Sequence, residues 1–238
     1  MKALILNSGM GIRMGVLTNE HPKCMTEIDG RETILSCQLK LLQQCGITEV
    51  IMTTGIFDRA LVDYCYSLNL PLQYTFVTNP IYNKTNYIYS IYLARTYLDD
   101  DIVLMHGDLV FELAVLQDVL KQNNSCMAVS STIPLPLKDF KAVIKDGLIE
   151  KVGVEFFDNA VAAQPLYKIN KEDWSIWLDR VIIYCEKGQV SCYAESAFNE
   201  VSDRCHIYPM DFADRVCTEI DTPEDLELIK ERLARLNC

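Results

Sequence analysis

No C-x-x-C pair occurs among the ten cysteines, which stand at positions 24, 37, 45, 65, 126, 185, 192, 205, 217 and 238. That spacing excludes a zinc ribbon and gives no sign of a disulfide framework, so the cysteines read as small apolar fillers of a reduced, cytoplasmic protein. Long hydrophobic runs are missing too. No segment approaches the ~20 apolar residues a membrane span requires, and a start in which Lys2 precedes only a short apolar run lacks a signal-peptide layout. Cations are in deficit: 22 Lys and Arg face 33 Asp and Glu, a formal charge of −11. Nucleic acid and anionic membrane are therefore poor candidates for the main partner. What is present is apolar material, half of the 238 residues, enough to bury the core of one large α/β domain.

The informative stretch is 2–25, KALILNSGMGIRMGVLTNEHPKCM. An apolar run, residues 3–6, stops at Asn7-Ser8 and passes through glycines at 9, 11 and 15, with Arg13 and Lys23 as cations. This predicts a buried first strand feeding a phosphate-binding loop. Gly9 and Gly11 can take backbone angles closed to other residues and turn their N–H groups toward an anion. Arg13 offers a planar fork for phosphate oxygens and Lys23 a mobile point charge. Two familiar glycine loops are disfavoured. No Lys follows Gly15 as a Walker loop would demand, and positions 9, 11 and 14 read Gly, Gly, Met rather than the dinucleotide G-x-G-x-x-G.

Farther along, helix and strand patterns alternate: a helix over 33–45 ending at Gly46, a strand over 49–54, a helix over 58–68 and a strand over 72–77. This order implies right-handed crossovers and a parallel sheet. The segment 79–98 reads as a Tyr-rich amphipathic helix starting near Asn86, and Asn79, Asn83 and Asn86 are placed both to cap it and to hydrogen-bond a base or ribose. The strand 101–107 carries His106, read as a packed residue, and delivers Asp108 to a strand end, where open α/β sheets bind ligands. A helix over 111–122 and a strand over 125–133 follow. Asp146-Gly147 marks a β-hairpin over 141–152, part of a second, substrate-facing layer that a strand over 164–169 would extend. Helices are expected over 172–186 and 191–201; their Trp174, Tyr193, Glu195 and Asn199 could frame an alkylammonium pocket or be an ordinary amphipathic face. Finally, a strand over 215–220 ends at Asp221, and Thr222-Pro223-Glu224-Asp225 is a complete helix start. Asp108 and Asp221 could grip one Mg²⁺ from two sides.

Gly9-x-Gly11-x-Arg13 with Pro22-Lys23, the Asn/Tyr stretch 79–92, Asp108 and the Glu219-Ile220-Asp221 ending resemble the sugar-nucleotidyltransferase-like family across nearly all of the chain. Within it the sequence is most similar to the cytidylyltransferases that activate phosphocholine or 2-aminoethylphosphonate. The resemblance implies a single Rossmann-like α/β domain over 1–238, with a mixed, mostly parallel sheet flanked by helices and a small substrate-side β-hairpin. Its nucleotide-binding part would cover about 1–133 and 203–238, and an acceptor-side insertion about 134–202. It also implies CTP as nucleotide, held by Asn7, Ser8, Gly9, Met10, Gly11, Asn79, Thr85, Asn86 and His106. Arg13 and Lys23 would be catalytic, Asp108 and Asp221 would bind Mg²⁺, and Tyr193, Glu195, Asn199 and Trp174 would hold a small phosphate or phosphonate acceptor. Asn7-Ser8 replaces the usual Ala-Ala, and Ile12 the usual Ser or Thr, which puts nucleotide affinity and base choice in doubt. A nucleotidyltransferase for a sugar or polyol phosphate and a non-catalytic nucleotide-binding relative stay open, as does a homodimer. Lys23→Ala is expected to slow turnover by about 10²-fold with the fold intact.

Overall fold

The computed structural model describes residues 1–236. Cys238, read above as an apolar filler, lies outside them. Strand β1 (Lys2–Leu6) is followed by α1 (Ile34–Gln44), β2 (Glu49–Thr54), α2 (Asp58–Ser67), β3 (Gln73–Thr78), α3 (Tyr87–Ala94) and β4 (Ile102–His106). Then come β5 (Leu109–Phe111), α4 (Leu113–Lys121), β6 (Cys126–Ser130), the hairpin β7 (Lys141–Lys145) and β8 (Leu148–Gly153), and β9 (Ala160–Ile169). Helices α5 (Lys171–Glu186) and α6 (Ala194–Phe198), strands β10 (Tyr208–Asp211) and β11 (Cys217–Glu219), and α7 (Pro223–Leu236) complete it.

The main sheet runs β10-β6-β9-β4-β1-β2-β3. The pairs of β1 with β2 and β4, of β2 with β3 and of β6 with β10 are parallel, and β9 lies antiparallel between β4 and β6. It is a mixed, mostly parallel sheet with helices on both faces. The period-two alternation of β1 decides which helices lie where. Leu4 and Leu6 pack with Ile88 and Ile91 of α3, Trp174 and Trp177 of α5 and Phe198 of α6. Ala3 and Ile5 pack with Leu35 and Leu39 of α1, Leu61 of α2 and Val115 and Val119 of α4. A third cluster joins Met14 and Ile28 to Val110, Ile220 and Leu226, so the glycine loop is anchored to β5, the end of β11 and α7.

Local chemistry sets the element ends. Thr33 and Ser36 form a reciprocal capping box on α1. Asp225 accepts from the backbone N–H groups of Asp221 and Thr222 and donates its own N–H to Thr222 Oγ1. That fixes Asp221 at the mouth of α7. In the β7–β8 turn Asp146 and Gly147 both have left-handed φ, 52° and 79°, as a two-residue primed turn needs.

Four features differ from the sequence reading. Residues 109–111 form a short strand, and the helix expected from 111 starts at Leu113: β5 pairs antiparallel with β11, so Asp108 sits in a strand-to-strand connection. Strand β9 is longer than expected and central, pairing with β4 and β6 as well as β7; an apolar run buried on both faces says nothing about which neighbours it chooses. The edge strand β10, YPMD, escapes pattern reading because its Pro interrupts the signal. Helix α6 is a short piece of the expected 191–201.

Candidate active site

The loop that leaves β1 lies against the end of β4: Leu6 is in register with His106, and the Gly107 N–H donates to Leu6 O at 3.1 Å. Gly11 takes the left-handed φ of 62° expected of it, and its carbonyl accepts from the Met14 N–H and from Thr18 Oγ1. Gly9 lies outside the left-handed region and leaves open space where a Cβ would stand. The following 3₁₀ turns carry Arg13 and, after Pro22 in an extended conformation, Lys23.

These cations do not stand apart from the acids. Lys23 Nζ donates to Asp108 Oδ2 and to Asp221 Oδ1, both at 2.6 Å, and Arg13 reaches the same Asp221 oxygen at 2.8 Å. Burial works against charge on Lys23 and Asp108, but their mutual attraction outweighs it, so the Lys23 pKa is raised and the Asp108 pKa lowered. Asp108 Oδ1 is buried with no hydrogen-bond partner. Two carboxylates already converge on one cation with an oxygen to spare, a donor set that suits a hard divalent ion such as Mg²⁺. Beside it, His106 Nδ1 lies 2.7 Å from Glu219 Oε1. Burial would lower the His106 pKa, yet the Glu219 carboxylate raises it to about 8. His106, Asp108 and Glu219 also offer ligand atoms within 4.8 Å of one another.

Three cavities adjoin this cluster. The first, about 310 Å³, is lined by Asn7, Gly9, Met10, Gly11, Arg13, Lys23, Asp108 and Asp221. The second, about 170 Å³, is lined by Ser8, Asn79, Thr85, Asn86 and His106. In it Asn79 Nδ2 donates to Thr85 Oγ1 and Ser90 Oγ, and Ser90 Oγ to Ser8 Oγ. Asn79, 1% exposed, therefore holds the pocket wall together, while Asn86 accepts from the Tyr87 N–H and caps α3. Of the two roles expected of the amide-rich stretch, Asn86 takes the capping one, and Asn79 spends its side-chain donor on the protein's own hydroxyls. The third cavity, about 210 Å³, is lined by Arg13, Tyr87, His106, Lys138, Asp139, Phe140, Tyr193, Glu219 and Asp221. Its aromatic rings interlock: Phe140 and Tyr193 centroids are 5.1 Å apart, Tyr87 and Tyr193 5.8 Å, and Tyr87 and His106 4.7 Å.

Of the four residues expected at an acceptor, only Tyr193 lines this cavity. Glu195 is buried one layer below, accepting hydrogen bonds from the Tyr87 and Tyr167 hydroxyls. Asn199 bonds the backbone of Val152 through both of its side-chain atoms, Oδ1 accepting at 2.8 Å and Nδ2 donating at 2.9 Å. Trp174 is a core residue whose indole N–H donates to Leu98 O. The apolar face of α5 points at the sheet, which the pattern could not separate from a pocket lining. Phe140, Asp139 and Lys138 went unnoticed because they precede the hairpin in an irregular segment. Glu219 sat inside a recognised motif but has a partner, His106, that only folding reveals.

Residues 3–138 match the model of the MobA-like NTP transferase domain. The chain is 34% identical over 135 residues to the CMP-5'-(3-aminopropyl)phosphonate synthase of Streptomyces rubellomurinus, a match that covers 57% of this chain but spans only 21% of that protein. It is 25% identical to the CTP:phosphoglutamine cytidylyltransferase of Campylobacter jejuni, covering 98% of this chain and 100% of the relative. Among solved structures, the inositol-1-phosphate CTP transferase from T. maritima superposes with a TM-score of 0.78 at 21% identity, over 97% of this chain and 95% of that one. The nucleotidyltransferase fold, the glycine loop that closes on Arg13 and Lys23, and the family match agree: the chain belongs to the family of MobA-like NTP transferase domains and is a nucleotidyltransferase.

Proposed function

We propose that the protein is a Mg²⁺-dependent cytidylyltransferase that joins CTP to a small amino-alkyl phosphate or phosphonate, releasing pyrophosphate. The observation that carries this reading is the juxtaposition of an aromatic, acid-lined cavity with the Lys23–Asp108–Asp221 cluster. Tyr87, Phe140 and Tyr193 give the cavity an aromatic wall suited to an ammonium group, with Asp139 and the His106-paired Glu219 as its acids. Arg13 lines both this cavity and the glycine-loop cavity, so an acceptor whose cationic end sits among the rings can reach with its anionic end toward the nucleotide phosphates. The relatives fit this chemistry in their names, an aminopropylphosphonate and a phosphoglutamine.

The reaction needs no protein nucleophile. An acceptor oxygen that is already an anion attacks the α-phosphorus of CTP, one P–O bond forms, the α–β anhydride bond breaks, and both electrons leave with pyrophosphate. Asp108 and Asp221 would hold Mg²⁺, which when bound neutralises phosphate charge. Lys23, tied to both carboxylates in the free protein, turns to the α-phosphate, and Arg13 to the acceptor or the leaving group. Ser8, Thr85 and Asn86 face the space left for the base and ribose.

The test is pyrophosphate release with Mg²⁺ across ATP, GTP, CTP and UTP against phosphocholine, phosphoethanolamine, 2-aminoethylphosphonate, glycerol phosphate and glucose 1-phosphate. Signal confined to CTP with an amine-bearing acceptor is expected. Turnover with glucose 1-phosphate or glycerol phosphate instead would replace the acceptor assignment, and nucleotide binding without release would leave a binding protein.

A further inference from the structure

The reaction described above does not use one buried polar group in the glycine-loop cavity. Asn7 is 8% exposed, and its side-chain Nδ2 is buried without a hydrogen-bond partner. Only its backbone is engaged, the N–H donating to Thr53 O and Oγ1. A donor left unpaired inside a protein costs stability, so it calls for an explanation outside the protein's own contacts.

Its surroundings supply one. The Asn7 side chain lies over Gly107: a Cβ built at position 107 would stand 1.6 Å from Asn7 Oδ1 and 2.5 Å from Cγ. Only glycine leaves this space, and residue 107 directly precedes Asp108. Asn7 and Gly107 thus line the same cavity as Arg13, Lys23, Asp108 and Asp221. The terminal amide turns about Cβ–Cγ in a broad, roughly two-fold well, so it can bring an N–H to the cavity face. Asp221 Oδ1 already has Lys23 and Arg13 as partners and Asp108 Oδ2 has Lys23; Asp108 Oδ1, the free carboxylate oxygen there, makes no hydrogen bond with Asn7, whereas an arriving polyphosphate brings acceptor oxygens in excess.

We propose that the Asn7 side-chain amide is a phosphate-recognising donor, held unpaired over Gly107 until the triphosphate of the nucleotide supplies its acceptor. It deepens the nucleotide-binding part of the proposed function and rests on that reading for the nature of the ligand. Asn7 would thus be a binding residue for the phosphate chain beside Lys23.

The experiment is calorimetric binding of CTP, inorganic tripolyphosphate and cytidine to the parent, Asn7→Ala and Asn7→Asp, together with thermal melting of each. Loss of a hydrogen bond to a charged oxygen should weaken CTP and tripolyphosphate about 10- to 100-fold in Asn7→Ala, with cytidine binding unchanged. The melting temperature should not fall, because the amide it removes has no partner. Asn7→Asp should bind both anions more weakly still. Equal tripolyphosphate affinity in parent and Asn7→Ala overturns the proposal. So does an Asn7→Asp protein that binds more tightly than Asn7→Ala, which would make the side chain a cation ligand, or a parent that does not bind tripolyphosphate. A parent that binds tripolyphosphate through Asn7 but makes no pyrophosphate from CTP would refute the proposed function and leave this inference in place.

Discussion

Replacing Lys23 by Met keeps much of the side-chain volume and removes the positive charge that Asp108 and Asp221 share. In the folded protein the ammonium stands 2.6 Å from each carboxylate, and the three side chains are 13%, 22% and 16% exposed. Asp221 keeps Arg13 at 2.8 Å. Asp108 keeps no ion pair or hydrogen bond of that kind, its other oxygen being buried and unpartnered, and is left with the His106 imidazole, within 4.8 Å, as the cation that still favours its charge. The variant therefore strands one buried carboxylate, a change worth about 3–5 kcal/mol when one member of a buried pair is lost. For a domain of 150–250 residues, each kcal/mol moves Tm by about 2–4 °C, so a fall of about 6–20 °C is expected. Turnover should fall by about 10²-fold or more as well. The sequence-based expectation of an intact fold thus becomes a measurable loss of stability, because Lys23 is a structural counter-ion in the free protein. Adding Asp108→Asn to Lys23→Met removes the stranded charge and should restore most of the Tm while activity stays lost. The reasoning is refuted if Lys23→Met melts within about 1 °C of the parent, or if the double variant is less stable than the single one.

Tyr193→Ala should raise the acceptor KM by about 2- to 5-fold, the loss of one cation–π contact at a ring that is 39% exposed, and leave the CTP KM unchanged; equal changes in both would place the ring elsewhere in the reaction. Trp174→Ala should lower stability by about 3–5 kcal/mol, seen as an early denaturant midpoint, with no selective effect on the acceptor KM of the protein that remains folded. Asn199→Ala cuts both hydrogen bonds to Val152 and should cost about 1–3 kcal/mol, with the hydrogen exchange of β8 amides accelerating first. Chelation of divalent ions should abolish pyrophosphate release and readdition of Mg²⁺ should restore it, without loss of the far-ultraviolet circular dichroism of the folded chain; undiminished turnover in chelator would remove the ion from the mechanism.

Much of this molecule was written locally. The apolar run of β1, the left-handed position at Gly11, the Thr33 capping box, the Asp146-Gly147 turn and the Thr222-Pro223 helix start depend on residues within a few places of each other, and local sterics and hydrogen bonds make such features legible in one dimension. The glycine loop after β1 and the two aspartates just beyond β4 and β11 were legible for the same reason. Tertiary structure alone decided who meets whom. Lys23 is separated from Asp221 by almost the whole chain, and nothing local says that one ammonium will bridge both acids. Trp174 and Tyr193 carry similar aromatic patterns, yet the sheet buries one in the core and leaves the other at the cavity. Asn7 and Gly107 need each other across two strands that become neighbours only when β1 pairs with β4. Period and propensity determine which way a residue faces on its own element; the packing of distant elements determines what it faces.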